Sequence, residues 1–244
     1  MIDLHCHIIP DVDDGARDME TALAMADLAW EQGTKIIAAT PHFRRPDQPD
    51  SLSASELVAG LRGLRAALAQ SGSPLRVAPG MELFSTAQLP EILDNKEYLT
   101  LNGSKYLLVE FFFDERIPFM NWCIDEIFAR NLVPVIAHPE RYMSVQKSPS
   151  VLGEWFSDGV VIQLNKGSIM GQMGSRAEST AWWALDHGLA HAVASDAHSE
   201  NERNPGLANV RELLTQELSR EYADLLLDGN PRRILKNNPL AHSL

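Results

Sequence analysis

Short apolar runs recur along this chain at the length of one strand–helix unit, and each ends in a polar residue able to hold a metal or a ligand. They end at His5 and His7, at His42, Glu82, Glu110, His138 and Asn165, and at Asp196 with His198. From His5 to Asp196, consecutive ends lie 37, 40, 28, 28, 27 and 31 residues apart. Strands alternating with helices imply βαβ units and a parallel sheet. Seven such units without a glycine-rich dinucleotide turn favour a barrel over an open Rossmann sheet, with the active site at the C-terminal ends of the strands. An open doubly wound sheet is the alternative.

The intervening segments read as helices. Over 18–32, Ala22, Met25, Ala26 and Ala29 recur at helical spacing and Gly33 follows as a stop. Ser53 and Glu56 form a capping-box pattern, opening a helix with Leu57, Leu61, Leu64 and Leu68 on one stripe. Further helices are expected around 86–93, from Pro118 to Arg130, over 151–156 and 175–187, and through the C-terminal segment. The polar stretch FRRPDQPDSL after His42 reads as a lid.

The 244 residues are expected to form a single domain spanning 1–244, and 45% hydrophobic content suffices for a large core. No run approaches the ~18 apolar residues of a membrane span and no signal pattern precedes the first strand, so a cytoplasmic protein without membrane insertion is expected. A net charge of −12 argues against nucleic acid as the main partner. A homo-oligomer is left open.

On a strand, residues i and i+2 share a face, so His5 and His7 present two imidazoles side by side while Cys6 points away. A strand-end histidine taken alone is more often structural than a ligand. Five of the eight histidines on one rim, joined by carboxylates, favour a metal site. The candidate ligands are His5, His7, Asp14, His42, Glu82, Glu110, His138, Asp196 and His198, too many for one tetrahedral ion. Asp11 and Asp13 fit turn positions equally well. His187, His191 and His242 fall away from the rim and read as structural or solvated.

A phosphate substrate would need positive charge beyond the metals, and Arg141, Arg203, Arg44 and Arg45 are the candidates for binding it. For Arg44 and Arg45 a solvated loop charge is the preferred reading. Cysteine-based phosphatase chemistry is set aside: a C-x5-R loop would need Arg where Cys6 has Val12, and after Cys123 the nearest Arg130 comes one residue late. No G-x-S-x-G elbow is present for a serine hydrolase.

The ordered set DLHCHIIPDVDDG, ATPHF, GMEL, LLVEF, VIAHPERY, QLN-x-GS and ASDAH resembles the PHP (polymerase and histidinol phosphatase) superfamily. Within it, the chain is most similar to the bacterial manganese-dependent protein-tyrosine phosphatases of capsule and exopolysaccharide synthesis. The resemblance covers roughly residues 1–205. It implies a distorted (β/α)7 TIM-like barrel and up to three divalent ions, manganese first, with iron or zinc as alternatives. His5, His7, Glu82 and Asp196 would hold one ion, Glu82 would bridge to a second with Glu110 and His138, and Asp14, His42 and His198 would hold a third. It also implies catalytic roles for Arg141, Asp196 and His42. The expected reaction is attack of a metal-bridging hydroxide on the phosphotyrosine of a cognate bacterial tyrosine kinase. A small-molecule phosphatase, such as a histidinol-phosphate phosphatase, is the alternative, and a non-catalytic metal-binding domain is a third reading.

Overall fold

The computed structural model describes residues 1–46 and 53–241. Residues 47–52 of the expected lid, and His242, lie outside the described residues.

Among the described residues, nine strands occupy seven positions: β1 (Ile2–Cys6), β2 (Ile36–Ala39), β3 (His42–Phe43), β4 (Arg76–Pro79), β5 (Glu82–Phe84), β6 (Tyr106–Glu110), β7 (Val133–Ala137), β8 (Val161–Asn165) and β9 (Ala192–Ala194). The second and third expected strands are each broken in two. Thr40-Pro41 separates β2 from β3, where proline offers no N–H to a ladder, and Gly80-Met81 separates β4 from β5. A Cβ on Gly80 would approach Thr40 Cγ2 to 3.0 Å and Leu101 Cδ2 to 3.1 Å.

Every ladder is parallel, in the orders β1-β2-β4 and β3-β5-β6-β7-β8-β9. Between the first and last positions, Cys6 bridges Ala197, His7 N donates to Ala197 O, and Asp196 N donates to His5 O. The two sheets therefore curl round to meet, as expected for a distorted barrel, and the open-sheet alternative does not hold.

Alternation along the strands sorts the core. One face contributes Ile2, Leu4, Ala38, Ala78, Tyr106, Leu108, Val135, Ala137, Val161 and Ala192 to a cluster of strand residues sealed by Leu101, Ile234 and Leu235. Alternate residues such as Leu107, Val109, Ile136, Ile162 and Leu164 pack outward with the helices. Helix Met19–Glu31 is capped by Asp18, and helix Ala54–Ser71 carries the full Ser53/Glu56 capping box with its four-leucine stripe buried. Helix Ile117–Phe128 begins one residue before Pro118, and helix Leu89–Asp94 is shorter than the spacing suggests. Helices Val151–Ser157 and Ser175–Asp186 fall where expected, and the C-terminal segment is helical in pieces from Ala208 to Leu235. No helix among the described residues is long and apolar enough to cross a membrane.

Candidate metal centre

Five positions reach the C-terminal rim by simple continuation of the inward face: Ala38 to His42, Ala78 to Glu82, Leu108 to Glu110, Val161 through Gln163 to Asn165, and Ala192 to Asp196. Two positions break parity. On β1, Asp3 pairs with Ile37 and Cys6 with Ala39, so one extra residue turns both His5 and His7 to the rim while Cys6 packs outward among helix residues. After β7, His138 adopts φ 35, ψ 54, and the left-handed backbone swings its ring inward. Asp196 is also left-handed, at φ 51. Such strain in non-glycine residues persists where the surroundings impose it, and it concentrates at functional sites.

All nine candidate ligands meet on this rim. They form four overlapping groups: His7, Asp14, His42 and His198; His5, His7 and Asp196; His5, Glu82 and His138; and His42, Glu82 and Glu110. Glu82 is the hub. Its Oε1 lies 3.2 Å from both His5 Nε2 and His138 Nε2, and its Oε2 lies 2.9 Å from His42 Nδ1. The grouping places Glu110 with His42 rather than with His138, a different partition from the one the resemblance implies. All the site residues are buried except Asp14, whose side chain is about half exposed at 48%.

A supporting layer fixes the rings. His7 Nδ1 donates to Asp13 Oδ2 at 2.7 Å, and His5 Nδ1 to Gln163 Oε1 at 2.9 Å. The amide of Gln163 is itself oriented, since its Nε2 donates to Leu164 O. His198 Nδ1 donates to Asp196 O at 3.0 Å. These bonds leave the Nε2 atoms of all three rings facing the cluster, the arrangement by which carboxylates and carbonyls orient metal-ligating imidazoles. Asp13 and Gln163 were not singled out in the sequence, where Asp13 looked like a turn residue. The loop that carries it closes tightly: a Cβ on Gly15 would collide with the carbonyl oxygen of His7.

Asp196 is divided between two tasks. Its Oδ2 accepts from Asn165 Nδ2 at 2.7 Å and Arg141 Nη1 at 3.2 Å, and forms an ion pair with Arg203 Nη2 at 2.9 Å. Its Oδ1 faces His7 Nε2 and His5 Nε2, at 3.4 and 3.5 Å. Arg141 and Arg203 thus both stand at the rim. Arg45 does too, donating to His42 Nε2 at 2.8 Å, contrary to the preferred solvated reading. Arg44 turns away to an exposed ion pair with Glu97.

The donor set fits divalent cations. His5 Nε2 and His7 Nε2 approach to 3.2 Å, and between two neutral rings those lone pairs would repel. Burial disfavours charge on His5, yet Glu82 and Asp196 outweigh it and raise its pKa to about 9. His42 is likewise buried and pushed up to about 11 by Glu82 and Glu110. Burial raises Glu110 to about 7, with Glu82 adding to it. Burial lowers both His138 and His198 to about 4. A proton on His5 or His42 answers the carboxylates where a cation would. Glu82 Oε2, Glu110 Oε2 and His198 Nε2 have no hydrogen-bond partner among the described residues, although each is buried and aimed into the cluster. Buried polar groups are rarely left so without a reason.

Neither cysteine belongs to this chemistry. Burial raises the thiol of Cys6 well above its usual value and that of Cys123 to about 12. His191 accepts from Ile162 N and stacks on Phe156, and His187 donates to Trp183 O, which are structural roles as expected.

A closed parallel barrel with imidazoles and carboxylates clustered on its C-terminal rim defines a scaffold of the metallohydrolase kind. Residues 1–236 match the family described as capsular polysaccharide synthesis, CpsB/CapC, and the chain belongs to that family. It is 32% identical over 240 residues to the tyrosine-protein phosphatase YwqE of Bacillus subtilis, covering 98% of this chain and 93% of that protein. It is 29% identical over 245 residues to the tyrosine-protein phosphatase CpsB of Streptococcus agalactiae serotype III, covering 98% and 99%. A solved chain from the crystal structures of YwqE from B. subtilis and CpsB from Streptococcus pneumoniae, described as unique metal-dependent tyrosine phosphatases, superposes with a TM-score of 0.93 at 31% identity. It covers 100% of this chain and 97% of that one.

Proposed function

We propose that this protein hydrolyses phosphotyrosine in a protein substrate, using divalent ions held by the nine rim residues. The observation that carries the reading is the overlap of the four ligand groups, in which His5, His7, His42 and Glu82 each belong to two. One ion could not use them all, whereas two or three ions would be held by these residues, with Glu82 common to two of the groups. The names borne by relatives about 30% identical along nearly the whole chain support phosphotyrosine as the ester. Manganese is the ion we favour, since mixed imidazole and carboxylate donors suit manganese, iron or zinc.

Bound ions would polarise phosphoryl oxygens and lower the pKa of a coordinated water. The chain's own residues do the rest. Gln163, Asp13 and the Asp196 carbonyl hold the three imidazoles in the tautomer that presents Nε2. Arg141 and Arg203 stand together on Asp196 Oδ2, and we assign them the phosphate, which two guanidiniums can take over from one carboxylate oxygen. Arg45 lies at the mouth beside His42 and Asp14. A tyrosine leaving group departs as a phenolate with a pKa of about 10, which lessens the need for a general acid. The protein substrate in this reading is a cognate bacterial tyrosine kinase of capsule or exopolysaccharide synthesis, and the reaction takes place in the cytoplasm.

The test is turnover by the manganese-loaded protein of a phosphotyrosine peptide against histidinol phosphate. The reading expects the peptide to be the better substrate by kcat/KM. Turnover of histidinol phosphate alone would replace this function with the small-molecule one.

A further inference from the structure

Among the described residues, four large hydrophobic side chains are exposed: Phe112, Phe113, Met143 and Met170. Three of these four follow β6 and β7 beside the candidate ligands, Phe112 and Phe113 in a loop and Met143 at the start of helix Met143–Lys147. Scattered apolar residues on a surface need no explanation, but a concentration of them beside polar catalytic groups marks a binding site.

Phe113 is 43% exposed and is held from three sides. The Arg141 guanidinium carbon lies 4.5 Å from its ring centre, the His138 ring 6.1 Å and the Tyr142 ring 6.3 Å. Its carbonyl accepts from Met143 N at 2.7 Å, which ties the two segments together and puts Met143 next to it. The ring is thus fixed against the arginine assigned to phosphate while nearly half its surface stays open. Its exposed surface lies next to the guanidinium assigned to the phosphate.

We propose that Phe113, with Met143 at its side, forms the platform on which the phenyl ring of the substrate's phosphotyrosine packs, and so selects aryl over alkyl phosphate esters. This rests on the phosphotyrosine reading above. The occupant is an aromatic ring because offset or edge-on packing against Phe113 rewards a second π-system, and the thioether of Met143 also favours aromatic neighbours. An alkyl phosphate would reach the same arginines and leave the platform uncovered.

The test compares kcat/KM for a phosphotyrosine peptide with that for glycerol 2-phosphate, using manganese-loaded wild type, Phe113→Ala, Phe113→Trp and Met143→Ala. For Phe113→Ala the aryl-to-alkyl ratio is expected to fall by about three- to tenfold, mainly through a higher KM for the peptide, as one lost aromatic contact implies. Phe113→Trp should keep the ratio within about twofold of wild type, and Met143→Ala should lower it less than Phe113→Ala does. An equal fall for both esters would mean that Phe113 only steadies Arg141, and an unchanged ratio would mean that the ring packs elsewhere; either overturns the proposal while leaving phosphotyrosine hydrolysis intact. A wild type inert toward the peptide would overturn both readings at once. Thermal melting of each variant verifies folding, which an exposed side chain should leave near wild type.

Discussion

Oδ2 of Asp13 accepts the Nδ1 proton of His7 at 2.7 Å and, at 2.9 Å, the backbone N–H of His42. One carboxylate thereby sets the ring of one candidate ligand and the backbone of another, on strands that are neighbours in the barrel. The imidazole of His7 in turn holds Asp13 below the ordinary carboxylate range despite its burial.

Asp13→Asn keeps the size of this group and removes its charge. It is expected to weaken metal binding by about 10- to 100-fold, the usual cost of losing a partner that orients a ligand imidazole. Competition with a fluorescent chelator measures this.

Metal binding should also depend on pH. In the metal-free protein the pKa of His5 is raised to about 9, so at pH 7 a bound ion must displace a proton. Apparent affinity is therefore expected to rise by up to about tenfold per pH unit for each proton released, the His5 contribution levelling off near pH 9 and that of His42, raised to about 11, continuing above it. The same shift has an opposite consequence for the metal-free fold. A raised histidine pKa stabilises fully below the unfolded value near 6.5, and the contribution is lost as pH rises through 9. The Tm of chelated protein should fall from pH 6.5 to 9 while that of metal-loaded protein does not, which calorimetry at matched ionic strength would show.

Lys166 Nζ donates to Asn204 O, to Asn204 Oδ1 at 3.0 Å and to Gly206 O at 2.7 Å, almost wholly buried behind the segment that carries Arg203. Lys166→Met would take this donor from the carbonyls of Asn204 and Gly206, while Asn204 Oδ1 keeps the N–H of Gly206, and is expected to cost about 1–3 kcal/mol in urea unfolding. Release of the Arg203 segment should also raise KM for phosphate esters more than it lowers kcat.

Cys6 lies in the sequence beside two candidate ligands but packs among the alanines of helix Met19–Glu31. Cys6→Ala is expected to retain hydrolysis within about twofold, with a stability loss of about 1 kcal/mol from the small cavity. Thiol alkylation of the native protein should leave activity unchanged.

The rim was legible in the sequence because a strand ends where its apolar run ends, and seven ends bearing His, Glu, Asn or Asp need only parallel pairing to converge. Two details of the strands were not legible. The extra residue on β1 and the left-handed turn at His138 are local backbone events, with no glycine or proline at the affected residue to announce them. The breaks at Thr40-Pro41 and Gly80-Met81 do carry such marks, but the sequence reading runs each strand through them to His42 and Glu82. The supporting roles escaped for another reason: Asp13, Gln163 and Asn165, the last placed on the rim by its strand end, act through hydrogen bonds to candidate ligands, and no spacing rule pairs such residues. For Arg45, the sequence showed a charge in a polar stretch, and only the fold sets it on His42.

The central claim is that this rim is a polynuclear metal centre on which phosphotyrosine hydrolysis depends. The most direct measurement takes protein stripped with a chelator, refills it with manganese, and follows bound metal per chain together with phosphate release from a phosphotyrosine peptide, for wild type, His42→Ala and Asp196→Ala. The account predicts two or three ions per refilled wild-type chain, activity lost on stripping and restored on refilling, and both variants short of metal and slower by at least about 100-fold, since each removes a ligand on which the reaction depends. Full activity in stripped protein, or in either variant, would contradict it.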